Sequence, residues 1–459
     1  MHILETLSKA IETCSNFLWG WPMIIMLLGT HLYLTVRLRF PQRKIFKAIR
    51  LSLQSDKSAS GDVSQFGALA TALAATIGTG NIIGVATAIT LGGPGAVFWC
   101  WLTGVFGIAT KYAEGLVAVK YRVKTSNGKM LGGPMYALER GLGLKWLGVL
   151  FCLFTVMASF GIGNLVQSNA ISLLCYETYK VPYEVSGAAI AVCVALVVVF
   201  GVKGIARVCS AFVPFMALLY FLGCAFILFV NGAYVGEALN LILRSAFNPE
   251  AAGGGFIGGS LIMTARYGIA RGLFSNESGM GSAPIVAAAA RTRNPVRQAL
   301  VSSTGTFWDT VVICAMTGLV LVSSILAYPD ITYNDGPALT KVAFDKIPYI
   351  GAPLLTFGII TFAFSTILGW CYYGEKAMEY LSGKRWTLVY RGIFIVASFF
   401  GAIVKLAVVW NLADLMNALM AIPNLISLLL LSGVIVAETK KYLWENRLDD
   451  EADPEDNPM

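Results

Sequence analysis

A75-T-I-G-T-G-N-I-I-G84 lies in the middle of an apolar run at 66–90. Gly78, Gly80 and Gly84 each weaken a helix by about 1 kcal/mol. Thr76, Thr79 and Asn81 beside them compete for backbone hydrogen bonds. About 20 apolar residues cross a bilayer as a helix. In hydrocarbon the backbone must satisfy itself, so an unwound stretch at that depth is tolerated only where it lines a cavity. The run therefore reads as a membrane helix interrupted at a cavity. A second apolar run carries the same kind of break at R266-YGIARGLFSNESGMGSAP-284.

Working outward, the whole chain fits a membrane setting. Of 459 residues, 56% are hydrophobic and 13% charged, against about a quarter charged in soluble domains. Mean hydropathy is +0.69. This composition excludes disorder and leaves too little polar surface to cover a soluble fold. Eleven segments are long enough to span: 15–36, 66–90, 95–119, 147–173, 183–202, 207–231, 256–289, 298–325, 352–374, 387–408 and 411–437. The run from Phe17 to Val36 has no small-residue cleavage site and reads as a retained span. The fold class is an all-α integral membrane protein of about eleven helices.

Of the 34 Lys and Arg, 25 fall in 37–57, 120–145, 203–207, 291–297, 376–391 and 440–447. Those segments share one side if the N-terminus is outside and the C-terminus cytoplasmic, the orientation the positive-inside rule selects. The excess of eight positive charges is thus a topology signal and not a nucleic-acid footprint. Residues 232–255 and 327–350 read as external segments, and 448–459 as an acidic, disordered cytoplasmic tail. The nine cysteines form no CxxC pair and read as small apolar residues, and two histidines, His2 and His31, make no metal site. No ATP-binding motif is present, since G78-T-G-N-I-I-G84 has its third glycine one place late and no strand before it.

The two breaks open two sets of five spans, 61–231 and 256–437, after an extra helix and basic loop at 15–60. Together these form a single transmembrane domain over 1–447. Five spans per unit make the second unit enter from the opposite side, giving an inverted 5+5 repeat with two discontinuous helices, the usual sequence pointer to a transporter site. Close helix packing is the bland reading of G80-NII-G84, but it does not account for a polar pair of breaks. Amides exposed at Thr79, Gly80 and Asn81 suit a carboxylate. Carbonyls freed near Ala74, Thr76 and Ile77 suit a hard cation. No Asp or Glu lies between 63 and 113, which favours neutral oxygens and sodium over a proton.

GTGNIIGVATAITLGGPGAVFWCW (78–101), ATKYAEGLVAVKYR (109–122), GGPMYAL (132–138), RGLFSNESGMGSAP (271–284) and AFSTILGWCYYGE (363–375) resemble the alanine/glycine:cation symporter family over about 15–440. The resemblance implies a leucine-transporter-type fold and sodium-coupled import of alanine, glycine or a close analogue by a monomer in the cell membrane, with no enzymatic activity and no cofactor beyond the sodium ion. It assigns substrate contacts to Gly78, Thr79, Gly80 and Asn81, to Gln167 in GIGNLVQSNA (161–170), to Phe274, Ser278 and Met280, and to Thr366 and Trp370. By more distant likeness it assigns sodium to the carbonyls of Ala74, Ile77 and Phe362 and the hydroxyls of Ser365 and Thr366. Ser278 and Ile83 depart from residues the family often carries, which leaves substrate size and polarity open. Arg271 with Glu277, or either with Asp309, is expected to form gating or structural pairs. Proton coupling through Glu277 or Asp309 is the alternative within the same fold. An ion channel is the alternative of another class.

Overall fold

A computed structural model describes residues 2–54, 59–125, 128–248, 260–331, 335–404 and 407–452. The start of the predicted 256–289 span, up to 259, and residues 453–459 of the tail lie outside the described residues. The described chain is helical apart from one two-stranded hairpin.

Helices α1 (His2–Leu18) and α2 (Trp21–Arg37) meet at a turn over Trp19 and Gly20. The two together give one candidate span, Lys9–Arg37, which contains the predicted 15–36, and Pro22 suits the start of α2. A short helix α3 (Ile45–Ser52) follows. The first broken span is α4 (Gln65–Thr76) and α5 (Ile83–Gly92), its halves bent by 63°. Ser64 caps α4 by accepting the Gly67 amide. Then come α6 (Ala96–Lys120) and the hairpin β1 (Val123–Lys124) and β2 (Met130–Leu131). Next are α7 (Lys145–Tyr179), α8 (Tyr183–Val198) and α9 (Gly201–Val230). The segment 232–255, read as a non-spanning one, begins with a helix, α10 (Gly232–Ser245).

The second unit opens with α11 (Leu261–Asn276), capped by Ser260 on the Met263 amide. It stops because Glu277 takes a left-handed conformation. Gly279 (φ 92°) and Gly281 (φ 85°) then follow, positions a side chain would strain. One turn at Pro284–Ala287 ends the break. Helix α12 (Pro295–Ala327) precedes a short helix, α13 (Gly336–Asp345). Beside it, Lys346 pairs with Asp330 and holds that carboxyl below the usual range. The rest is α14 (Gly351–Ser382), α15 (Thr387–Ile403), α16 (Ala407–Leu430) and α17 (Ser432–Thr439).

Among the described residues, eight helices are long and apolar enough to cross a membrane, or nine with the bent pair counted as one. The predicted eleven is not reached by length alone, since α8 and α11 are only 16 residues each. The outer helices carry exposed apolar side chains such as Phe215, Leu222 and Phe229 on α9 and Ile393 and Val396 on α15. Such a surface fits lipid and not water. Residues of α6 and α14 are largely buried, so these two helices form the interior.

The segments flanking the two breaks meet on one face. The Asp62 amide donates to Ala289 O at 2.8 Å and the Arg291 amide to Val63 O at 2.8 Å. The Arg122 guanidinium donates to the carbonyls of Ala288, Ala290 and Ser60. The predicted disordered tail is docked on this face as far as it is described. Asn294 Nδ2 donates to Leu448 O and Asp450 O, both at 2.9 Å, and Leu448 is buried. The reason is a polar recess at Asn294 and Arg297 that loop composition does not reveal. A chain ended after Arg447 is expected to lose about 2 kcal/mol from these bonds, read as a drop of a few degrees in the thermal midpoint in detergent. An unchanged midpoint would mean the docking carries no stability.

Candidate functional site

The two breaks lie against each other at Gly80. A Cβ there would stand at ordinary contact distance, 3.7 Å, from both Phe274 Cδ1 and Ser275 Cα. At the first break Ile77 is extended (ψ 90°) and the Gly78 amide turns to Asn81 Oδ1 at 2.8 Å. Asn81 Nδ2 donates to Asp309 Oδ1 at 2.7 Å and also reaches Asp309 O. Asp309 Oδ2 accepts from Ser275 Oγ at 3.1 Å and from Thr310 Oγ1 at 2.6 Å. One fully buried carboxylate therefore ties both breaks to α12.

Asn81 is thereby a cross-brace, with both ends of its side chain occupied. The absence of acids between 63 and 113 said nothing about Asp309, which the fold delivers to the first break from 228 residues away.

Another carboxylate holds the second break. Glu114 Oε1 accepts the Gly281 amide at 2.9 Å, the Gly279 amide at 3.1 Å and Asn424 Nδ2 at 2.7 Å. Lys111 Nζ lies 3.8 Å from Glu114 Oε2 and donates to Glu277 O at 3.1 Å. Both side chains project from α6 at helical spacing i, i+3, which placed them on one face inside the motif ATKYAEG. The sequence reading named the motif but missed the pair and Asn424. Glu277 accepts from Ser282 Oγ at 2.5 Å and from Trp370 Nε1 at 3.2 Å. Neither Arg271–Glu277 nor Arg271–Asp309 is an ion pair among the described residues. The left-handed turn at Glu277 sends its carboxylate away from the Arg271 face of α11, and Arg271 borders a cavity instead.

That cavity, about 580 Å³, runs from α13 down to Thr79 and Gly80. Its walls come from α5 at Ile83 and Thr87, α7 at Asn169 and Glu177, α11 at Arg271 and Phe274, α13 at Lys341, and α14 at Leu355 and Ile359. Thr79 Oγ1 donates to Gln167 Oε1 at 3.2 Å, and Gln167 Nε2 donates to Ile162 O. Phe274 packs edge-on against Trp19, with centroids 6.0 Å apart. Thr79, Gly80 and Phe274 thus line the cavity, with Gln167 bonded behind Thr79. Ser278, Met280 and Trp370 do not line it. Ser278 Oγ pairs with Thr306 Oγ1, and Met280 and Trp370 are fully buried below.

Beside Gly78 lies the predicted cation set. Ser365 Oγ donates to Phe362 O at 2.9 Å and reaches Ile77 O at 3.4 Å, and Thr366 Oγ1 donates to Phe362 O at 2.9 Å. A Cβ on Gly78 would sit 2.6 Å from Thr366 Oγ1. Ala74 is buried in the last turn of α4, whose carbonyls are released by the break. A compact group of hydroxyl and carbonyl oxygens suits a hard monovalent or divalent cation.

Two interrupted helices placed back to back under a cavity define a secondary transporter. A family model described as the sodium:alanine symporter family matches residues 4–457, and the chain belongs to that family. It is 50% identical over 440 residues to the sodium/alanine symporter AgcS of Methanococcus maripaludis, covering 94% of this chain and 96% of that protein. It is 37% identical to the probable sodium/glutamine symporter GlnT of Bacillus subtilis, covering 96% and 92%. Among solved structures, MhsT in complex with L-phenylalanine superposes with a TM-score of 0.53 at 16% identity, covering 86% of this chain and 94% of that chain. The likeness gives a leucine-transporter-type fold. The chain is a multi-pass membrane transporter and not an enzyme, and its family uses sodium as the coupling ion.

Proposed function

We propose that this protein imports alanine, glycine or a similarly small neutral amino acid with sodium, as a monomer, by alternating access between inverted repeats at 61–231 and 256–437. Eleven spans, an external N-terminus and a cytoplasmic C-terminus complete the reading. One observation carries it: the cavity is lined by Thr79 and Gly80, and the adjoining Ile77 and Gly78 meet the oxygens of Phe362, Ser365 and Thr366. Amides at a helix break would receive the substrate carboxylate, with Gln167 holding Thr79 in place. Phe274 would close over a small side chain. Sodium beneath would bind carbonyls made available by the same break, so each ligand would favour the geometry the other needs.

The cavity is lined by α13, in the segment assigned to the outside, while Arg122 and the 62–63/289–291 bridge tie the other ends of the two breaks together. This supports reading the structure as an outward-facing state. Purified protein in liposomes is expected to accumulate labelled alanine or glycine under an inward sodium gradient, and ethylamine, which lacks the carboxylate, should not compete. Equal uptake under a proton gradient alone would transfer the coupling role to Asp309 or Glu277. Strong competition by ethylamine would remove the amide site. Equilibration without accumulation would favour a channel.

A further inference from the structure

A second cavity, of about 630 Å³, lies on the closed face, away from the site described above. Gly61 and Asp62, the hairpin turn at Gly128 and Lys129, the α8–α9 junction from Val199 to Lys203, Arg291 and Arg391 bound it. Four cations face one carboxylate there. Arg391 is already held by Glu375 through bonds of 2.7 and 2.8 Å, and Asp62 Oδ2 accepts the Met130 amide at 3.0 Å. Lys129, Lys203 and Arg291 make no ion pair among the described residues, and Arg291 Nε is buried with no hydrogen-bond partner. Gly201 to Lys203 form the first turn of α9, a 30-residue helix, so its unpaired amides and positive end border the same space. Gly201 (φ 64°) makes the junction tight: a Cβ there would lie 2.8 Å from an Arg391 terminal nitrogen.

The surroundings select the form of anion. Val199 and Phe200, which join two apolar helices, are 65% and 74% exposed. Oxyanion chemistry and bare apolar surface thus adjoin at a helix junction, where a bilayer changes from hydrocarbon to headgroup. We propose that this cavity binds the phosphate of an anionic phospholipid, with its acyl chains along Val199 and Phe200. The phosphate oxygens engage Lys203, Lys129 and the Arg291 Nε–H. Arg291 follows the second break and its amide is bonded to Val63, ahead of the first. A bound lipid therefore braces the closed face and favours the vestibule-open state.

Native mass spectrometry of the full chain in detergent, mixed with phosphatidylglycerol or phosphatidylcholine, tests this. The parent is expected to retain phosphatidylglycerol in preference. At about one tenfold step per 1.4 kcal/mol, the Lys203→Gln variant should lose about fivefold in retention and Lys203→Gln/Arg291→Gln about thirtyfold. Lys384→Gln, exposed on the same side but outside the cavity, should match the parent. Alanine uptake should be faster in vesicles containing phosphatidylglycerol than in phosphatidylcholine alone, a difference the double variant loses. Equal retention of both lipids by the parent would overturn the proposal, and so would undiminished retention by Lys203→Gln, an exposed residue whose change spares the fold. Displacement of the lipid by millimolar inorganic phosphate would reassign the cavity to free phosphate.

Discussion

Alanine uptake by an Asp309→Ala variant is expected to fall at least a hundredfold. Three donors converge on this carboxylate: Asn81 Nδ2 from the first break, Ser275 Oγ from the second, and Thr310 Oγ1 beside it. Asp309 is fully buried, so removing it takes the carboxylate from three donors in a dry interior and leaves Asn81 Nδ2 the Asp309 backbone O and Cys314 Sγ, and Ser275 Oγ only Cys314 Sγ. Each lost carboxylate bond costs about 1–3 kcal/mol. Three together exceed 3 kcal/mol, or about two tenfold steps. The loss should appear both in initial uptake rate and in the thermal midpoint of the purified protein. Asp309→Asn keeps the shape and one acceptor oxygen, so it should retain more activity than alanine does, with about a tenfold deficit. Uptake by Asp309→Ala within threefold of the parent would show that the two breaks are held together by packing alone.

Gly78→Ala is expected to raise the half-saturating sodium concentration by tenfold or more. The backbone at Gly78 is extended (φ −135°), so the obstacle is space and not strain. The new Cβ would lie 2.6 Å from Thr366 Oγ1, and that hydroxyl is fixed by its bond to Phe362 O. Thr366→Val separates the explanations. It has the shape of threonine but lacks the oxygen, and a lost ligand to a charge costs about 1.5–3 kcal/mol. If Thr366 binds sodium, Thr366→Val should repeat the sodium defect and the Gly78→Ala/Thr366→Ala double variant should not recover. A Thr366→Val variant with a sodium dependence within twofold of the parent, together with recovery in the double variant, would reduce Thr366 to a hydroxyl bonded within its own helix. Uptake measured across a sodium series in liposomes decides.

Coupling between these predictions is physical. Gly78 precedes the three-residue turn Thr79–Asn81, and Asn81 Oδ1 at its end fixes the Gly78 amide. Loosening Asp309 therefore loosens the backbone that carries Ile77 O. The Asp309→Asn variant should accordingly show a weaker sodium dependence as well as a slower rate, and not a slower rate alone.

The amino-acid sequence by itself determined the membrane setting, the two breaks and the residues around them. These follow from local rules: apolar run length sets spans, and glycine with Asn, Ser or Thr unwinds a helix where it occurs. Thr79, Gly80 and the Ile77 carbonyl were legible for that reason, whereas Phe274, Phe362, Ser365 and Thr366 were named by the family resemblance. Tertiary structure decided who partners whom. Asp309 reaches Asn81 across 228 positions and Asn424 reaches Glu114 across 310. Arg271 stays apart from Glu277, because a single left-handed residue redirects the chain. Ser278, Met280 and Trp370 looked like pocket residues from their motifs but face neighbouring helices, since a break fixes where the backbone opens and not which way each side chain turns. The docked residues 448–452 make the same point: a charged tail has no local reason to order, and it orders here because Asn294 and Arg297 meet it.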